Sequence, residues 1–177
     1  MKSTTKKILV PLATLLGAGA IAIGSGATFT STTANSISSV TSGTLTHTNS
    51  KDGKAILTLA NIKPGDTVNG GLTITNTGSL PADFSLTETS STNGFSDNNL
   101  TLTITNNTTG ASVYSGTFGG LVEGAKTTLG AIAPGVANSF TFSVHLDADA
   151  PNSQQGKNAT AAYQWDSVQQ AATTTNQ

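Results

Sequence analysis

Hydrophobic and polar residues alternate along much of this chain. Leu72, Ile74 and Asn76 interleave with Thr73, Thr75 and Thr77; Leu100, Leu102 and Ile104 share one parity, and so do Phe140, Phe142, Val144 and Leu146. Tyr163 and Trp165 fall on one side with Ala159 and Ala161. Period 2 is the side-chain period of a half-buried strand. The pattern predicts strands over Thr44–Thr48, Ala55–Leu59, Gly71–Asn76, Ala82–Glu88, Leu100–Thr105, Ser112–Phe118, Ser139–Leu146 and Ala159–Asp166. Beyond the N-terminal region no window carries a 3.6-residue apolar stripe. Leu121–Leu129 is expected to hold at most a short helical turn, because Gly124 interrupts it. So many short strands separated by turn residues predict an all-β sandwich, and a jelly roll or an immunoglobulin-like arrangement would both satisfy the pattern.

The turns have their own chemistry. In Ile62-Lys63-Pro64-Gly65-Asp66 the proline presets φ and the glycine supplies the positive φ that follows it in a type II turn. The same Ile-x-Pro-Gly signature recurs at Ile132-Ala133-Pro134-Gly135, again followed by an alternating strand. Two copies suggest two similar hairpin edges in one domain and fall short of a solenoid. Lys51-Asp52-Gly53 and Asn106-Asn107-Thr108-Thr109-Gly110 read as further turns.

The N-terminal segment changes the picture. Lys2, Lys6 and Lys7 precede an apolar stretch, Ile8–Ile23, and the small residues Ser25-Gly26-Ala27 follow it. This is the layout of a secretory signal peptide over residues 1–27, with cleavage expected between Ala27 and Thr28. The stretch is short of the roughly 20 residues of a spanning helix, and Pro11 weakens it as one. Residues 28–42 are rich in Ser and Thr and uncharged, with Phe29, Ile37 and Val40 as their large apolar side chains. They are expected to form a flexible arm that becomes a strand when offered an edge. Residues 43–168 form the predicted sandwich, and 169–177 a polar, disordered tail. Cleavage leaves five lysines against nine acidic residues, a net charge of −4, with no arginine. That balance argues against nucleic acid or an anionic membrane as partner. With no cysteine, burial and hydrogen bonds must hold an exported domain together.

Three ordered features resemble the TasA/camelysin family of secreted biofilm-matrix fibre proteins. They are Thr28-Phe29 with Ser42-Gly43-Thr44-Leu45, the stretch Leu59–Leu80, and Gln155-Gly156-Lys157 through Ala161 to Gln164-Trp165-Asp166. The resemblance implies a jelly-roll-like antiparallel sandwich, export through a dedicated signal peptidase, and an extracellular location in the matrix or at the cell surface. It also implies homopolymeric fibres grown by donor-strand exchange, with Thr28, Phe29, Ile37 and Val40 as donor side chains. A partner that anchors or caps the fibre is a further implication. The chain is shorter than the best-known members, so functions seated in their insertions do not transfer. The other readings to weigh are a monomeric adhesion or fibre-accessory module and a camelysin-like metalloprotease.

The chemistry for that last reading is sparse. The two histidines, His47 and His145, lie on predicted strands and outside any His-Glu-x-x-His motif. Asp147-Ala148-Asp149 groups oxygen ligands that calcium takes, without an EF-hand pattern, and reads first as a polar loop. There is no Gly-x-Ser-x-Gly elbow and no phosphate-binding glycine loop. Asn99, Asn106, Asn107 and Asn158 head glycosylation sequons, expected to stay unmodified if the source is bacterial, as the family resemblance implies. Tyr163 and Trp165 are expected in the core rather than as a sugar platform. The sequence predicts no enzyme and no cofactor.

Overall fold

The computed structural model describes residues 42–58, 62–171 and 173–174. The strands are β1 His47–Asn49, β2 Thr67–Asn76, β3 Ala82–Asn93, β4 Leu100–Asn106, β5 Ala111–Thr117, β6 Lys126–Ile132, β7 Ala137–Leu146 and β8 Ala159–Gln169. All belong to one compact unit, Thr41–Gln170. A single 3-10 turn, Asn152–Gln154, lies between β7 and β8.

Two antiparallel sheets form. Sheet A has the order β1-β2-β7-β4-β5, and sheet B the order β6-β3-β8. The alternation read in the sequence fills the space between them. Leu72 and Ile74 of β2, Leu100, Leu102 and Ile104 of β4, and Phe140, Phe142, Val144 and Leu146 of β7 are all buried. They meet Ala82, Phe84 and Leu86 of β3 and Trp165 of β8.

The two Ile-x-Pro-Gly turns turn out to be partners. β2 and β7 are antiparallel neighbours, and each turn leads into one of them. The Gly65 N–H donates to the Leu146 carbonyl at the end of β7, and the Gly135 N–H donates to the Asn76 carbonyl at the end of β2. In return the Leu146 N–H donates to Asp66, and the Asn76 N–H to Val136. Each turn therefore closes the other strand's last hydrogen bonds about a local two-fold. Both glycines sit at positive φ, 88° and 73°, as that turn requires. The buried Asn76 adds a tie between the sheets: its Nδ2 donates to the Leu80 and Ile132 carbonyls, and its Oδ1 accepts the Gly78 N–H.

Three sequence expectations are corrected. Residues 121–129 hold no helical turn, and Lys126–Ile132 is a strand. A bulge conceals it: Phe84 pairs with Gly130 and Ser85 with Thr128, so Leu129 is unpaired and the period-2 pattern skips. Residues 55–58 are not a strand. Ile56 and Leu57 are half-buried against the core over Gly70, an inward-facing position of β2. The predicted Thr44–Thr48 strand shrinks to β1, with Thr44 and Thr46 instead bonded to the turn at residues 77–79.

Candidate assembly groove

A jelly roll is a folded antiparallel ribbon, in which the first strand pairs with the last, the second with the seventh, the third with the sixth and the fourth with the fifth. Three of these four pairs are present: β2 with β7, β3 with β6 and β4 with β5. The fourth is missing. β1 pairs with β2, and the outer edge of β8 has no strand partner among the described residues. β1 reaches β8 through a side-chain hydrogen bond, His47 Nδ1 lying 2.9 Å from Ser167 Oγ.

Beside that free edge the sandwich is hollow. Along β8 the inward positions are Ala159, Ala161, Tyr163 and Trp165. The two aromatics reach the far sheet: Trp165 meets Phe140 at 4.9 Å between ring centroids, and Tyr163 meets Phe142 at 5.2 Å. The two alanines end at Cβ and reach nothing comparable. A cleft of about 590 Å³ opens there, floored by Leu102, Phe118, Phe142 and Val144 and lipped by residues 51–58. A second cleft of about 640 Å³ shares Ala159 with the first and runs on past Phe95, Leu100 and Leu146.

Behind Tyr163 lies a polar pair in the core. Glu88 of β3 stands opposite Tyr163 in the ladder and is 1% exposed. Neither carboxyl oxygen has a hydrogen-bond partner among the described residues, and neither does the Tyr163 hydroxyl. Burial pushes the Glu88 carboxyl above its ordinary range; Ser91 and Tyr163 lie close enough to offset part of that without reaching hydrogen-bond geometry, and Glu123 adds to it. Burial, and then the Glu88 charge, push the Tyr163 phenol up as well. The predicted strand Ala82–Glu88 already gave Glu88 the parity of Phe84 and Leu86, but as its last residue and a carboxylate it read as a strand end rather than as a core position.

The family model described as camelysin metallo-endopeptidase matches residues 3–111. The chain belongs to the camelysin family. No curated protein matches it. The match covers the N-terminal region and β1 to β4; β6, β7 and β8 lie beyond it.

The camelysin description implies a catalytic metal, and the described residues do not fit one. His145 faces outward on β7 opposite Thr67, whereas His47 faces inward on β1 opposite Asn76. Those partners stand at the two ends of β2, about 30 Å apart at the usual strand rise, and a zinc ligand must come to about 2 Å. Each imidazole instead meets a hydroxyl: His47 with Ser167, His145 with Thr67 at 2.9 Å. Among the described residues no three His, Cys, Asp or Glu gather to hold a metal. Asp147 Oδ1 accepts the Asp149 N–H, so the pair considered for calcium closes its own turn. No helix among the described residues is long and apolar enough to cross a membrane. The donor-strand residues Thr28, Phe29, Ile37 and Val40, and the cleavage position at Ala27 and Thr28, lie outside the described residues.

Proposed function

We propose that this camelysin-family protein is a secreted structural subunit of extracellular fibres, in which residues 28–42 of one copy add a strand to β8 of the next. The observation that carries the reading is that no first-to-last strand pair is present among the described residues, beside a hollow groove. β8 is the longest of the four edge strands, eleven residues. Exposed edges are normally blunted by lysine, proline or a covering segment. β8 contains neither residue, and its single charge, Asp166, is paired with Lys126 at 3.4 Å. Added strands gain backbone hydrogen bonds from the edge and specificity from the pockets beneath it.

Donor and acceptor are different surfaces of the same chain. Such contacts are heterologous and need not close, so they generate filaments. Signal-peptide removal between Ala27 and Thr28 would free the donor, making the signal peptidase the trigger and a fibre-capping or anchoring protein a fitting partner. The test is electron microscopy and size-exclusion chromatography of the mature chain from Thr28, beside a variant lacking Thr28–Val40. The expected result is filaments from the first and monomers from the second. Equal filament growth by both would overturn the donor role. A mature chain that stays monomeric for days would instead favour an adhesion or accessory module.

A further inference from the structure

Resting on the groove being an acceptor, we infer that its first cleft is an aromatic-binding site whose occupant is Phe29 of a second copy, carried on a strand antiparallel to β8. The cleft walls state what is wanted. Ala159 and Ala161 leave the β8 side empty, while the floor of Leu102, Phe118, Phe142 and Val144 is hydrocarbon throughout. A strand added at this edge sends alternate side chains inward, and only a large apolar one bridges from the edge to that floor. Outside the described residues the chain has a single aromatic, Phe29.

Direction follows from the place of the first strand, which has no counterpart beside β8 among the described residues. In an extended strand Ile37 lies on the same face as Phe29, with Ser31, Thr33 and Asn35 between them, while Val40 lies on the other. With Phe29 seated under Ala161, an antiparallel strand sets Ser31 beside Ala159, next to the second cleft, and carries Ile37 about 20 Å further at the usual strand rise, beyond the start of β8. The antiparallel sense is the one a first strand takes beside the last in the rolled ribbon.

The test keeps the aromatic in place. Mature chain from Thr28 with p-benzoylphenylalanine at position 29 is mixed with isotopically labelled mature chain, irradiated, and the cross-linked residues are mapped by mass spectrometry. The expected product joins position 29 of one copy to Ala161, Phe142 or Val144 of a labelled copy. Filaments with cross-links elsewhere would overturn the Phe29 assignment and leave the fibre reading standing. Cleft cross-links confined to one chain, with no filaments, would overturn both.

Two substitutions give an independent arm. Phe29→Ala should slow filament elongation roughly 10- to 100-fold, the scale of one large apolar side chain's burial. Ala161→Trp fills the cleft and should stop elongation, whereas Gln164→Trp, facing outward on the same strand and lining neither cleft, should not, both being first checked for an unchanged melting transition. Should Ala161→Trp unfold the domain, Phe29→Ala still decides, and unchanged elongation by that variant would overturn the inference.

Discussion

Gly70→Ala tests how residues 55–58 sit at the groove's lip. A Cβ on Gly70 would lie 2.5 Å from the Ile56 carbonyl oxygen and 2.7 Å from the Leu57 Cβ. The first is a backbone atom, so no side-chain rotation relieves the clash and the segment must lift. Ile56 and Leu57 are only half-buried, so lifting forfeits about half of the roughly 1.5–3 kcal/mol that full burial of each would supply, about 2 kcal/mol in all. That raises the lifted population on the order of 30-fold. Hydrogen exchange at residues 54–58 should speed up by that factor, while β4 and β7 keep their protection. In the mature chain the lag before filaments should shorten, because the same segment forms the lip of the cleft. Unchanged exchange at 54–58 would refute the argument. So would an equal loss of protection in β7, which would make the segment part of the cooperative core.

The other expectations concern stability and chemistry. Asn76→Asp replaces two donated bonds with a carboxylate facing the Leu80 and Ile132 carbonyls; it should cost about 3 kcal/mol or more in urea unfolding, with partial recovery at low pH as the acid protonates. Glu88 has a folded pKa above its ordinary 4.5, so its contribution is fully present below about that pH and is lost as pH rises through the folded value. Glu88→Gln should therefore gain on wild type between pH 4 and pH 7 in melting experiments, and a constant difference across that range would contradict the buried-acid assignment. Gly135→Ala places a Cβ at φ 73° with no steric neighbour; backbone strain alone should cost about 1–2 kcal/mol. Chelator treatment should leave the melting temperature unchanged, and a drop of several degrees would show a metal site that the positions of His47 and His145 do not supply.

What the sequence determined was local. The alternation at Leu100–Ile104 and Phe140–Leu146, and the proline–glycine turns, fixed the β class and most strand positions, because side-chain parity and turn dihedrals are properties of neighbouring residues. Where a local irregularity broke that parity, as at the Gly130 bulge, the strand was hidden. Tertiary structure alone decided which strands pair. It made the two Ile-x-Pro-Gly turns close each other's strands, sent Ile56 and Leu57 onto Gly70 instead of into a ladder, and brought Glu88 opposite Tyr163 in the core. Among the described residues it also left the outer edge of β8 without a strand partner, over two alanines. A strand needs a hydrogen-bonding partner, and the identity of that partner is set by residues far away in the chain, so a period-2 pattern states the readiness to pair and not the pairing.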